Sequence, residues 1–262
     1  MALENWVGAE AGREPDDDVA AIQSEWLRRV EAEYRSAAIT HQLILWLLQL
    51  AAPIELVRAG LRIVEDELEH SELSHDAYRA AGGSQVLNFG REPLGLPQPP
   101  PDRLLEAVVR VTVETFCLGE TVAVRLFAKL RDPSTQPAAR SALDRILKDE
   151  VRHRDFGWTL LEYLLSTAQG PDIRALTNQN LPAAFARLRQ NYAYHALGQG
   201  EPASPARLAW GLMAPADYAE VLDETLDRDY VPLFAELGID ARKAWGDASP
   251  KSGRPAAVEA FE

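Results

Sequence analysis

Cysteine is nearly missing from this chain: Cys117 stands alone. A single thiol excludes an intrachain disulfide framework, a CxxC redox pair and a Cys-rich zinc site. It fits a reducing, cytoplasmic setting. Basic residues are also scarce, 27 Lys and Arg against 40 Asp and Glu, for a formal net charge of −13. A phosphate-backbone binder needs a basic footprint, so no nucleic-acid partner is expected. An anionic membrane surface is disfavoured for the same reason. Long apolar runs are absent too. The longest, Leu43 to Leu48, falls far below the ~20 residues of a membrane helix. The opening stretch, MALENWVGAEAGREPDDD, has no basic start followed by an apolar segment, so no signal peptide is expected. Alternating apolar and polar residues with β-branched enrichment are missing as well, which argues against strands.

What is present is a recurring 3.6-residue apolar period in an ordinary globular composition, 47% hydrophobic and 26% charged over 262 residues. Four long helical segments follow from it. The first spans about 18–51, with Asp16 to Asp18 favourable at a helix start. The second runs from Pro53, a good first-turn residue, to about residue 81, where Gly82-Gly83 stops it. The third begins after Pro99-Pro100-Pro101, with Asp102 as the expected N-cap, and runs to about 131. The fourth spans about 137–168 and ends at Gly170-Pro171. Segments one and two, and three and four, are separated by only a few residues, so each pair reads as an antiparallel hairpin. About 20 Gly- and Pro-rich residues separate the hairpins, enough to cross the length of a bundle. Two hairpins joined by one long crossover is the ferritin-like form of the four-helix bundle.

The expected organisation is therefore all-α. Residues 1–16 form a flexible N-terminus and 17–246 a single helical domain. Within that domain the bundle covers 17–168, and additional C-terminal helices cover 172–246. Residues 247–262 form a flexible tail. Among the additional helices, one is expected near 182–197 and one near 216–237, the latter kinked or broken by Pro232.

The chemistry sits in a duplicated pattern. Segment two contains Asp66-Glu67-Leu68-Glu69-His70 and segment four Asp149-Glu150-Val151-Arg152-His153, both D-E-x-x-H. Residues three apart share a helix face, so Glu67 with His70, and Glu150 with His153, can each converge on one metal. A paired site also needs a carboxylate from each of the other two helices. Segment one offers Glu31 and Glu33. Glu33 lies on the largely apolar stripe of Trp26, Val30, Ala37, Thr40, Ile44 and Leu47, whereas Glu31 shares a face with Arg28, Arg35 and Gln42. Segment three offers Glu114 and Glu120. Glu120 shares a stripe with Val113, Phe116, Cys117, Val124 and Phe127, but Glu114 replacing or supplementing it stays open. Four carboxylates on core-facing stripes need compensation, and two divalent cations provide it. Oxygen-rich ligation with one His per metal suits Fe or Mn better than structural zinc. Asp66 and Asp149 can each accept the spare N–H of a ligand histidine on the opposite helix. His41 reads as partly buried, His75 as surface, His195 as packing or surface, and Cys117 as a small core residue.

In the Glu33-Tyr34-Arg35-Ser36-Ala37 stretch, DELEH, CLGET (117–121) and DEVRH, taken in order, the chain resembles the ferritin-like di-iron carboxylate superfamily. Rubrerythrins, manganese catalases, bacterial multicomponent monooxygenases and the ribonucleotide reductase small subunit belong to it. The resemblance implies Glu33, Glu67, His70, Glu120, Glu150 and His153 as six metal ligands and catalytic residues. It further implies two Fe ions, with Mn as the alternative, O2 as co-substrate and an external reductant. The leading expectation is a di-iron oxidase or oxygenase, an oxidoreductase acting on a small organic substrate and fed by an electron-donor protein or another reductant. A homodimer is compatible with it. Peroxide or iron handling of the manganese-catalase, peroxidase or ferroxidase kind uses the same ligands and stays open, as does a non-catalytic, metal-stabilised bundle.

Overall fold

The computed structural model describes residues 15–85, 94–96 and 98–248, and the expectations for loose ends fall mostly on residues outside these. Among the described residues there are helices, turns and connections but no strand. The first two rods are α1, Pro15–Gln49, and α2, Ile54–Ala80. The tight turn between them carries Ala51 in the left-handed region at φ 52° and Pro53 at the N-cap of α2. α1 starts at Pro15 rather than near residue 18, since proline tolerates a first-turn position where its missing N–H is no loss. α2 closes on Gly82 at φ 86°, whose N–H bonds the Arg79 carbonyl at 3.0 Å while Gly83 bonds Tyr78 at 3.0 Å. Glycine reaches that conformation without a Cβ penalty.

The third rod changes winding along its length. A 3-10 turn at Pro101–Arg103 leads into α3, Leu104–Val111, then a π-helical segment, Thr112–Glu120, then α4, Thr121–Arg131. Asp102 is not an N-cap: it lies inside the 3-10 turn begun by Pro101, and α3 starts without a side-chain cap. The fourth rod is α5, Pro137–Ser166, with proline in its first turn. α1 lies along α2, α5 packs on α2, on the π segment and on α4, and α1 touches α3. The side chains between the rods include Trp26, Leu43, Ile44, Leu47, Phe116, Leu143 and Ile146, all essentially inaccessible.

Beyond α5 the chain departs from the expected boundaries. Gly170-Pro171 does not merely stop α5; it opens α6, Gly170–Asn191, which runs straight through Pro182. Pro171, in the first turn, suits a helix start, while Pro182 leaves one internal bond unmade without ending the helix. After a 3-10 turn at Tyr194–Ala196 come α7, Pro205–Ala209, and α8, Pro215–Thr225. A second π segment at Leu226–Tyr230 leads into α9, Val231–Glu236, and α10, Ala241–Asp247, follows. The expected break at Pro232 takes the form of that π segment, which absorbs the missing N–H just before it. α6 packs on α5, α3 and the first π segment, α8 on α4, and α10 on α6 and α9. Two hydrogen bonds pin the turn after α7 to α1: Trp26 Nε1 donates to the Trp210 carbonyl at 3.1 Å and Arg29 Nη2 to that of Gly211 at 2.8 Å. Tyr230, fully buried in the second π segment, donates its hydroxyl to the Leu118 carbonyl of the first at 2.6 Å. No helix among the described residues is long and apolar enough to cross a membrane.

Candidate metal centre

Four helical segments converge on one buried cage. α1 supplies Glu33, α2 supplies Glu67 and His70, the end of the first π segment supplies Glu120, and α5 supplies Glu150 and His153. Glu67, His70, Glu150 and His153 are exposed by 1% or less, and Glu33 and Glu120 by 8% each. The side chains divide into two groups, Glu33 with His70 and Glu150, and Glu67 with Glu120 and His153. In each group one ligand-type atom per residue lies within 4.8 Å of the others.

The distances give the cage its internal order. His70 Nδ1 stands 4.0 Å from Glu33, 3.7 Å from Glu67 and 3.8 Å from Glu150. His153 Nδ1 stands 3.3 Å from Glu67 and 3.6 Å from Glu150. Glu67 and Glu150 therefore each lie between the two imidazoles, whose ring centroids are 5.6 Å apart. Neither Nδ1 has a hydrogen-bond partner, and neither does Glu67 Oε2 or Glu150 Oε2. Buried polar atoms are normally paired, and a lone pair left over is costly. Four such atoms facing one another are a donor set lacking its acceptor. At metal–ligand bonds of ~2.0–2.2 Å, donor atoms around one ion stand 3–4 Å apart, the spacing seen here. Two buried Glu/His clusters of this kind could each hold a metal ion.

The outer nitrogens are committed elsewhere. His70 Nε2 meets Asp149 at 3.2 Å, and His153 Nε2 meets Asp66 at 3.2 Å. Each aspartate thus serves the histidine of the other helix, fixing the ring so that Nδ1 faces inward. Asp149 also accepts from Arg145 Nε at 2.5 Å, and Arg152 spans the pair, 2.8 Å from Asp149 and 2.9 Å from Asp66. Ser36 Oγ, one turn after Glu33, donates to Glu67 at 2.9 Å.

Electrostatics point the same way. Burial, then the charges of Glu67 and Glu150, push the Glu33 carboxyl well above the usual range. Burial, then Glu150 and Glu67, do the same to Glu120. Burial and mutual repulsion thus favour the protonated form of both carboxyls, and a bound cation would favour the ionised form instead.

Of the two carboxylates weighed on the third rod, Glu120 joins the cage, while Glu114 is half-buried and pairs with Arg187 at 2.5 Å. Glu31 is exposed, whereas Glu33 faces inward. His41 is exposed, not partly buried, and His195 is exposed. His75 is half-buried rather than on the surface, its ring stacked on Tyr78 with centroids 5.9 Å apart. Cys117 is buried against α5, its Sγ 3.5 Å from the Gly157 carbonyl. Sequence reasoning missed Ser36, Arg145 and Arg152. Their spacing held the signal: Ser36 follows Glu33 by three, and the arginines flank Asp149 at −4 and +3, all same-face offsets.

No protein-family model matches the chain, and no curated protein matches it. Fold and site define an all-α protein with two buried Glu/His clusters that could hold metal ions.

Proposed function

We propose that this chain is a dinuclear non-haem iron oxidase or oxygenase that uses O2 to oxidise a small organic substrate. The observation that carries the reading is the pair of buried, unpartnered Nδ1 atoms aimed at four carboxylates from four helical segments. In this reading the architecture is a ferritin-like four-helix bundle over residues 17–168, with a long crossover and added helices over 172–246. Glu33, Glu67, His70, Glu120, Glu150 and His153 hold two ions. The donor set, four carboxylates and two imidazoles, suits Fe or Mn. When bound, a ferrous pair supplies electrons to O2, and an external reductant restores them.

The chain's own residues supply the rest. Glu67 and Glu150, each between both imidazoles, hold the two positions at a fixed separation. Asp66 and Asp149, beside the outer nitrogens of His153 and His70, hold the two rings so that Nδ1 faces the cage. Ser36 restrains Glu67 from the side of α1. Glu33 and Glu120 are the most accessible members of the cage, so O2 and substrate approach from their side. The apolar walls, Phe116 and Ile146 among them, keep bulk water from the reacting atoms.

The test is elemental analysis of protein purified without added metal, followed by anaerobic Fe(II) loading and exposure to O2. Two equivalents of iron ~3–4 Å apart, with a transient visible absorbance on mixing, are expected. A colourless protein that binds no iron overturns the reading.

A further inference from the structure

One turn of α1 before Glu33 lies a buried cation with donors to spare. Arg29 precedes Glu33 by four residues, about 6 Å of helix rise, and shares its face. It is 5% exposed. Three contacts fix its guanidinium. Nε donates to Glu25 at 3.1 Å, Nη2 donates to the Gly211 carbonyl at 2.8 Å, and Cζ sits 4.5 Å from the centroid of the Trp26 ring. Nη1 is buried and has no hydrogen-bond partner. Its two N–H groups are the donors left over once Nε and Nη2 are engaged, and a buried donor left unmet is costly.

Charge makes the same point. Glu25 also accepts from Arg28, Nε at 3.0 Å and Nη2 at 2.8 Å. One carboxylate thus serves two guanidiniums, and the cluster keeps a surplus positive charge in a chain of net −13. The next acid on that face, Glu33, belongs to the cage. Two half-buried tyrosines from the late helices stand over the cluster. Tyr218, in α8, has its hydroxyl beside the Arg29 guanidinium. Tyr192, at the end of α6, is acted on by Glu120 and Glu150 on one side and by Arg28 on the other. Burial, then the charge of Glu25, pushes the Tyr218 phenol up to about 12. Burial, then Glu120 and Glu150, pushes that of Tyr192 up as well. Both hydroxyls therefore keep their protons at neutral pH and can donate. Solvent reaches the cage on this side, through Glu33 and Glu120.

We propose that the small organic substrate is a carboxylic acid, whose carboxylate docks on Arg29 Nη1 beside the Tyr218 hydroxyl and whose body extends toward the Glu33–Glu120 side of the cage. A carboxylate supplies what the cluster lacks, an anionic acceptor for a charge-assisted hydrogen bond out of bulk water. A cationic substrate would meet two arginines there, and a neutral amide would leave the surplus charge unanswered. The distance of about 6 Å from Arg29 to Glu33 along the helix calls for a short acid, with its reacting carbon several bonds from the carboxylate. The inference rests on the oxidase reading for what happens to the substrate, whereas the docking site itself needs no metal.

Calorimetric titration of the full chain tests it, after chelation and with the absence of metal verified by elemental analysis. The probes are hexanoate and benzoate, each compared with its neutral amide. At least one acid should bind at one equivalent, about tenfold or more tighter than its amide. Arg29→Lys keeps the charge but loses the Nη1 donors, so it should weaken the acid about tenfold or more and leave the amide unchanged. A crystal structure of the wild-type chain with the bound acid gives an answer even where Arg29→Lys fails to fold: a carboxylate oxygen within hydrogen-bond distance of Nη1 is expected. Acids that bind no better than their amides, acid binding indifferent to Arg29→Lys, or a carboxylate seated elsewhere would overturn the proposal. With no metal present, such a failure leaves the iron reading standing, and a chain that takes up no iron but binds the acid at Arg29 leaves this site standing.

Discussion

Replacing Asp149 by Asn should weaken metal binding at the His70 position while sparing His153, although Asp149 shares a helix with His153. The reason is the crossed pairing: Asp149 stands 3.2 Å from His70 Nε2, while His153 Nε2 is served by Asp66 at the same distance. Removing a carboxylate that orients a ligand imidazole lowers metal affinity ~10–100-fold, about 1.4–2.7 kcal/mol. Asparagine keeps an acceptor oxygen but loses the charge, so the lower end applies to it and the upper end to Asp149→Ala. The arginines left behind, Arg145 and Arg152, have side chains 38% and 49% exposed. Water takes over their hydration, and the loss of each pair lowers stability by no more than ~1 kcal/mol. The assay is anaerobic calorimetric titration with Mn(II) or Fe(II) in two backgrounds. With His70→Ala, Asp149→Asn should add nothing; with His153→Ala, it should keep its full effect. The opposite assignment, or no loss in either background, would refute the crossed-pair reasoning.

Four further outcomes follow from the same geometry. Saturating both positions at about a hundredfold over Kd should stabilise the protein by ~5 kcal/mol, a rise in Tm of roughly 10–20 °C by calorimetry, reversed by chelation. In the metal-free protein the raised carboxyls of Glu33 and Glu120 reverse the usual carboxylate trend. The unfolded chain releases these protons near 4.5 and the folded one only higher, so this stabilisation is complete below 4.5 and lost as pH climbs through the raised values. Metal must displace those protons, so affinity rises over the same window; Tm against pH should fall for the metal-free form and rise for the loaded one. Gly157→Ala would bring a Cβ within 2.4 Å of Phe116 Cβ and 2.9 Å of the Phe116 carbonyl carbon. Overpacking there should lower stability by ~1–3 kcal/mol, read as a lower midpoint in urea. Finally, Glu120→Gln should reduce bound metal by about one equivalent by elemental analysis, and Glu114→Gln should leave it unchanged, since Glu114 is engaged with Arg187.

Most of the cage was legible because α-helical spacing is rigid. The i,i+3 offset of Glu67 and His70, and of Glu150 and His153, fixes a shared face whatever the neighbours do. The apolar stripe around Glu33 distinguished it from Glu31 because burial and period coincide there. Helix ends were less readable, since proline serves equally before and inside a first turn. Thus Pro15, Pro101 and Pro171 lie at starts that the sequence placed elsewhere, and Pro182 sits within a helix because packing of Leu181, Ala184 and Phe185 outweighs one missing bond. The two π segments left no local signature. The π form is rare and occurs mostly as bulges within α-helices, often at functional sites, so local periodicity does not announce it. The apolar stripe of Val113, Phe116 and Cys117 pointed to Glu120, while height counted along the rod left Glu114 open, and both lie in one π segment whose winding departs from 3.6 residues per turn.

The hydroxyl of Tyr230 reaches across from one widened coil to another and grips the carbonyl of Leu118, two residues ahead of Glu120. That clamp makes the late helices a brace for the centre, not an appendage. A fragment ending after α5 would retain five of the six inward side chains on regular helices but would lose the strut that sets the register of the sixth. A strain imposed on residues 226–236 would likewise be transmitted toward Glu120 through that hydrogen bond, over a sequence distance of 112 residues, and through the Arg125–Asp229 pair beside it.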